Sequence, residues 1–345
     1  MKSMWFGVLS ATAILAGAGS AFAQQKTLYV AGYGGSFEQM MRKEVIPDFE
    51  KQARLRIEYV AGNSTDTLAK LQAQKGNQQI DAIIVDDGPA YQAVSLGFCG
   101  TLRPAPIYAD VAPVMKFKSN QAIGLGMVAT GLFYNKKVFA ENRWPAPTSW
   151  ADLNDPKFRK KLVIPSINNT YGLHTLVAMA QLGGGSEANV EPGFKMIKEQ
   201  TNPNVLVYES SAAKMVELFQ SGQAVLGVWG SGRVKAFADT GFPAEFVYPR
   251  EGGFVLGIVG CPVEGSKNAV EANAFLQYML SPAVQMTLAL RHGAGPANTR
   301  VVLTPQQHRG LPYGGQARAL KALDWDTANA RREEWTRRWN REIER

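Results

Sequence analysis

The chain has 345 residues, a formal charge of +8 and 46% apolar residues. After Lys2 an apolar run from Trp5 to Ala18 leads to Ala21-Phe22-Ala23, the pattern of a secretory leader cut between Ala23 and Gln24. No later run is long and apolar enough for a membrane span, which excludes an anchored protein for the remaining stretch, and about 320 residues exceed one comfortable core and predict two domains. Arginines crowd into the last stretch, "ARREEWTRRWNREIER", where acids interleave with bases. That pattern reads as a solvated helix face and not as a nucleic-acid surface.

In chain order, Lys26 to Gly32 reads as a strand. The loop "GYGGS" follows, and Phe37, Met40, Met41 and Val45 recur at helical spacing. A helix is predicted from Ser36 to Glu50, its end disturbed by Pro47. "LRIEYVAG" alternates as a strand, and Ser64 and Thr65 are cap candidates for the next helix. "DAIIVDD" is a strand buried on both faces, and "GPAYQAVSLG" a short helix stopped by Gly97. Three such units in a row predict a parallel sheet, with ligands beyond the carboxyl ends of its strands. Those ends are 32–36, 61–64 and 86–88, all small or polar.

The rest alternates in the same way. "GLGMVATGLFYNKKVF" is a glycine-punctuated strand, and "WPAPTSWADLNDPKFRKKLVIPS" a proline-rich passage ending in a strand. "NNTYGLHTLVAMAQLG" is a helix opened by capping asparagines. "GFKMIKEQT" is a helix and "NVLVYES" a strand. Ser211 caps a helix stopped by Gly222. "AVLGVWG", "SGRVKAFADTG", "FVLGIVGCPV" and "KNAVEANAFLQYMLSPAVQ" read as strand, helix, strand and a long helix with a proline break. No repeat and no linker composition appear, so the chain is expected to pass between its domains on short strands. Cys99 and Cys261 would enter an oxidising compartment, where one disulfide can form. Spacing alone does not decide whether the two sulfurs meet.

The ordered set "YGGSFEQ", "DAIIVDDGPA", "ATGLFYNKKVF", "TSWADLNDPKFRKKLVIPS", "GQAVLGVWGSGRVKAF", "VYPREGG", "VEGSKNAVEANAFLQYMLSP", "GAGPAN" and "EWTRRWNREI" resembles periplasmic solute-binding proteins of ABC transporters. The type is the extracellular solute-binding family 1, and the branch it looks most like binds spermidine and putrescine. The resemblance implies an α/β, type II periplasmic-binding-protein fold. Two lobes, each a mainly parallel sheet flanked by helices, would enclose a ligand cleft. Residues 1–23 would be the leader, 24–130 with 253–310 the first lobe, and 131–252 the second. Residues 311–345 would be C-terminal helices packed on the lobes. Hinge crossings fall near Thr130-Gly131 and Glu251-Gly252-Gly253. The implied protein is a periplasmic monomer without a cofactor. It is not an enzyme: it closes on a solute and docks on a membrane permease.

The ligand set follows from the cleft loops. Tyr33, Gly35 and Ser36 open the first helix, where bare N–H groups can meet a ligand, although a tight turn capped by serine fits equally. Asp86 and Asp87 can face the cleft or cap the next helix. Thr130 lies at the first hinge crossing. Asn169, Thr170 and Tyr171 open a helix of the second lobe. Trp229, Ser231 and Arg233 lie where a strand becomes a helix; the family places an aromatic contact at the matching tryptophan, and a core position is the alternative. Arg233 can pair with a ligand anion or tie down Asp239 or Glu209.

The family's acidic pair for polyamines matches a region that reads Ser166, Asn168, Asn169 and Thr170 here. Its next tryptophan and acid read Leu256 and Ile258. Burying a polycation without counter-charges is costly. A small zwitterion or anion is therefore expected, with a polyamine in an altered site as the alternative. A secreted hydrolase is the rival class, but "GSG" at 230–232 lacks the full G-x-S-x-G elbow, because Trp229 replaces the first glycine. Tyr171 and Tyr208 are not adjacent, as an iron site would want, and His174, His292 and His308 are far apart in sequence. No ATP-binding G-x-x-x-x-G-K-[ST] loop occurs, so energy for transport would come from another chain.

Overall fold

A computed structural model of the chain describes Met1 and residues 25–344. The predicted leader beyond Met1, and its cleavage point, lie outside the described residues.

Strand β1 (Thr27–Tyr33) runs into a helical stretch of three parts: α1 (Ser36–Met40), a π-helical turn (Met41–Val45) and α2 (Ile46–Ala53). The helix thus passes the expected end at Glu50. Proline lacks an N–H and its ring crowds the carbonyl four residues back. The wide turn just ahead of Pro47 opens the ladder there and lets the helix continue. Then come β2 (Arg56–Gly62), α3 (Ser64–Ala73), β3 (Ala82–Asp86) and α4 (Asp87–Ser95). Asn63, and neither Ser64 nor Thr65, caps α3: its Oδ1 accepts the Asp66 N–H at 2.8 Å.

The long strand β4 (Ile123–Asn135) is buried at all of its positions and leads to α5 (Lys136–Glu141). Next are β5 (Leu162–Ile164), α6 (Thr170–Leu182), α7 (Glu191–Met196), β6 (Val205–Tyr208) and α8 (Ala212–Gln220). Strand β7 (Leu226–Gly230), α9 (Ser231–Asp239) and β8 (Ala244–Val247) follow. The chain returns through β9 (Phe254–Pro262) and ends in α10 (Ala269–Met279), α11 (Pro282–Thr287), α12 (Gly315–Arg318) and α13 (Trp325–Glu342).

The strands form one continuous path, β2-β1-β3-β9-β4-β7-β5-β6, with β8 added on β4. Both ends of the path are parallel. The middle is antiparallel, because β9 and β4 run against their neighbours. Alternation along each strand feeds a core on either face. Leu28, Val30, Ala82 and Ile84 enter one core, while Ala31, Ile83 and Val85 enter another. In the second half Leu132, Leu162, Ile164 and Val228 share a core, opposite Phe133, Val163 and Trp229.

The chain does not pass between the halves on short strands. It crosses inside the thirteen-residue β4, which pairs with β9 up to Thr130 and with β7 and β8 beyond it. At the exchange of partners a Cβ on Gly131 would lie 2.5 Å from the Val247 carbonyl oxygen, so only glycine fits.

Helix α13 buries Trp325, Trp335 and Trp339, while Glu333, Arg337 and Arg341 face solvent. The expected solvated face is therefore one side of a docked helix. Its Trp325 ring covers Gly88 so closely that a Cβ there would lie 2.2 Å from a ring carbon. Asn329 adds a hydrogen bond to the Gly88 carbonyl at 3.1 Å.

Cys99 and Cys261 are joined in a disulfide that links positions 162 residues apart. A closed loop of that size restricts the unfolded chain strongly. Replacing both cysteines by alanine is expected to cost about 2–5 kcal/mol. The check is the urea midpoint: reductant should lower it in the wild type and leave it unchanged in the double variant.

Candidate functional site

Helices that follow strands in such a sheet all begin at the strands' carboxyl ends, and these beginnings converge on a cavity of about 420 Å³. Gly34 and Gly35 come from the start of α1, Asn63, Ser64 and Asp66 from that of α3, and Asp86 stands just before α4. From the other half come Asn169 and Tyr171 of α6, Ser210 to Ala213 at α8, and Arg233 of α9. Val128, Leu256, Ile258 and His292 complete the wall.

A helix start carries a partial positive charge on its unpaired N–H groups. Three of these starts are capped by their own side chains. Asn63 serves α3, Asn169 accepts from Tyr171 N–H at 2.9 Å, and Ser211 accepts from Lys214 N–H at 3.4 Å. Helices α1 and α9 begin after glycines and have no side-chain cap.

Among the described residues, side-chain hydrogen bonds from Arg233 and Thr170 join the halves across the cavity. Arg233 Nη1 donates to Ser36 Oγ at 3.1 Å and to the Gly34 carbonyl at 3.3 Å. Thr170 Oγ1 donates to Asp86 Oδ2 at 2.5 Å. Arg233 is thus bound neither to Asp239, which pairs with Lys235, nor to Glu209, which accepts the Ser211 N–H.

Of the residues expected from sequence, Tyr33, Gly35, Asp86, Asn169, Tyr171 and Arg233 line the cavity. Ser36 and Thr170 adjoin it through the two bridges. Four others lie elsewhere. Trp229 is a correction: strand alternation turns it away, into the core beside Phe133, at 5.4 Å between ring centroids. Thr130 is buried at the crossing, with its Oγ1 2.7 Å from His174 Nδ1. Ser231 is buried and its Oγ accepts the Ala129 N–H at 3.0 Å, which ties α9 to β4. Asp87 points beneath the floor, where the Gly257 and Gly88 N–H groups and the Trp325 side chain bond it. Sequence reasoning placed no ligand contact in the 61–64 loop: it marked the loop as a strand end and read Ser64 only as a cap candidate. Ser211 was read only as a cap, and His292 only as too isolated for a metal site. His174 is a core residue stacked on Phe254, and His308 stacks on Tyr313.

Burial dominates the electrostatics. It pushes the Asp86 carboxyl up, while the Thr170 hydroxyl, the Tyr33 phenol and the Arg332 cation pull it back. Asp87 is pushed up to about 7, first by burial and then by the negative charge of Asp86. Burial lowers His292 to about 3, with Arg233 adding repulsion. Tyr171 rises to about 12 through burial, against the pull of Arg233. Arg332, on α13, donates from Nη2 to the Asn168 carbonyl at 3.3 Å; burial pulls it down and Asp86 holds it up.

Two halves with separate cores, joined by β4 and β9 and facing each other across a cavity of mixed polar and apolar lining, are the architecture of a two-lobed solute-binding protein. Residues 44–310 match the family model described as Bacterial extracellular solute-binding protein, and the chain belongs to that family. An "Uncharacterized protein" of Haemophilus influenzae is 26% identical over 306 residues, 86% of this chain and 85% of that protein. The spermidine/putrescine-binding periplasmic protein of Salmonella typhimurium is 24% identical over 182 residues. That match spans 52% of this chain and only 51% of the relative. Among solved structures, the periplasmic binding protein AfuA from Actinobacillus pleuropneumoniae, with fructose-6-phosphate bound, superposes with a TM-score of 0.78. It is 22% identical, and the match covers 93% of this chain and 99% of AfuA. That likeness establishes the fold, of the type II binding-protein kind. Among the described residues no helix is long and apolar enough to cross a membrane.

The raised Asp87 carboxyl has a sign that can be tested. The unfolded chain ionises it near its ordinary value of about 3.9, whereas the folded protein keeps its proton up to about 7. Its contribution to stability is therefore complete below about pH 4 and is lost as pH rises through 7. Asp87→Asn, which keeps an acceptor for Gly257, is expected to gain on the wild type over that interval, by up to about 4 kcal/mol. Denaturation curves of both proteins from pH 4 to pH 8 give the difference directly.

Proposed function

We propose that this chain is the substrate-binding component of an ABC importer and captures a small anion or zwitterion between its lobes. It then presents the closed form to a membrane permease. The observation that carries this reading is Arg233. Its guanidinium reaches from α9 to the start of α1 and lies on the cavity wall, between two helix starts without side-chain caps. A cation and two positive helix ends suit an oxyanion. The lobes are 24–130 with 253–310 and 131–252, the segment 311–345 packs on both, and the hinge lies in β4 and β9. Support for these limits comes from the division of the cores at Thr130. The chain acts as a monomer in the periplasm and releases its solute unchanged.

A second reading, a polyamine site, is favoured by Asp66 and Asp86 on the wall and by the name of the Salmonella relative. Against it, Leu256 and Ile258 form apolar wall where counter-charges would be wanted. Asp86 is already engaged by Thr170, with the Arg332 cation close by. AfuA, with its sugar phosphate, is an example of this fold holding an anion.

Closure needs a ligand that contacts the closed state better than the open one. A thermal-shift screen of phosphate esters, phosphonates, carboxylates, amino acids and spermidine is the direct test, because a ligand stabilises the folded form by mass action. An anion or zwitterion is expected to raise the melting temperature. Arg233→Met is expected to weaken it by about 2–5 kcal/mol in calorimetry, the cost of removing one partner of a buried charge pair. Tight binding of spermidine with silence from every anion would sink the anion reading.

A further inference from the structure

One wall residue is left without a role by everything above. His292 closes a π-helical turn (Leu288–His292) in the first lobe and is followed by Gly293 in the left-handed region, with φ of 69°. The residue is part of the cavity lining, yet it is only 6% exposed. Among the described residues its Nδ1 has no hydrogen-bond partner. A buried polar atom left unpaired is destabilising, and native proteins rarely keep one without a reason.

The ring is nevertheless held firmly. It packs edge-on against Phe37, with centroids 4.9 Å apart and planes at 78°. Phe37 in turn packs edge-on against Tyr33 at 5.1 Å. The backbone is fixed as well: a Cβ on Gly232 would lie 2.2 Å from the His292 carbonyl oxygen, so the turn presses on the first turn of α9. That turn carries Arg233, whose charge is felt at the imidazole. A histidine of one lobe and an arginine of the other therefore face the same cavity across the seam.

Burial and the neighbouring guanidinium both oppose protonation, so the imidazole offers one N–H and one lone pair but no charge. We propose that His292 is a ligand-contacting, specificity-determining residue: the oxyanion neutralised by Arg233 also takes a hydrogen bond from the His292 ring, so that one anionic group is held from both lobes. This rests on the anion reading of the site. It refines that reading by requiring an oxygen that accepts from a neutral donor beside the guanidinium, as a phosphoryl or carboxyl oxygen does. A guanidinium alone neutralises charge. A second, directional donor ranks anions by where their oxygens lie.

The test compares wild type, His292→Phe, His292→Gln and Arg233→Met by calorimetry and thermal melting. The probes are inorganic phosphate, glycerol 3-phosphate, fructose 6-phosphate, citrate and glutamate. The wild type is expected to bind at least one of them. His292→Phe is expected to weaken that probe at least tenfold while its ligand-free melting temperature holds or rises, since an apolar ring suits the contact with Phe37. His292→Gln restores a donor and is expected to recover part of the affinity. Equal binding by wild type and both His292 variants, with loss only in Arg233→Met, would overturn the role of His292 and leave the anion site standing. Failure of the wild type to bind any probe would overturn both. A fall in melting temperature in both variants that accounts for the whole loss of binding would make His292 a packing residue and overturn the inference.

Discussion

A buried strand must set each backbone N–H and C=O against a partner, and β4 meets this requirement while passing from one core to another. It exchanges β9 for β7 and β8 at Thr130 without leaving the sheet. Nearly everything about the cleft follows from that exchange. The two sets of parallel strands end on opposite sides of it, so the helices after them start facing one another. The glycine at 131 is the local condition for the exchange, since the Val247 carbonyl occupies the space of a side chain. Ser231 strengthens the same place by accepting the Ala129 N–H, which anchors the helix that carries Arg233 to the strand that joins the lobes.

The cleft also carries an electrostatic tension. Helix starts make it positive, yet two adjacent carboxyl groups, Asp86 in its wall and Asp87 beneath it, sit half-buried there. Unpaired buried charge is expensive, and its cost is reduced by neutralisation or by partners. The two residues take different routes. Asp86 has Thr170 as a hydrogen-bond donor and the Arg332 cation nearby. Asp87 is pushed towards the neutral acid at ordinary pH, with the Gly257 and Gly88 N–H groups and Trp325 around it. Two of these partners, Arg332 and Trp325, belong to α13. The terminal helix is thus part of the electrostatic support of the site as well as a cover for the second core.

The alternating pattern of strands and helices, and the loops at 32–36 and 86–88, were legible because period and punctuation are local properties. So was Arg233, as a cation just inside a helix that follows a strand. Trp229 was misplaced because its neighbours Val228 and Gly230 do not reveal which face of the strand points to the cavity. That depends on register against β4, a long-range fact. Asp87 and Asp86 look alike in sequence, and only Asp86 reaches the wall. His292 gave no signal, since nothing in "LALRHGAG" announces a π turn that presses on α9. The disulfide was open for the same reason: its two ends are brought side by side by the pairing of β3 with β9, where Cys261 faces Ile83 and Cys99 bridges to Val263.

The place of β9 in the sheet orders events in time. It lies between β3 and β4, although more than a hundred residues separate it from either in the chain. A polypeptide emerging from its amino end can pair β1 with β2 and β3, but the inner edge of β3 stays bare until residue 262 of 345 has appeared. Contacts this distant in sequence form slowly. A sheet so arranged can close its middle only after most of the polypeptide is present.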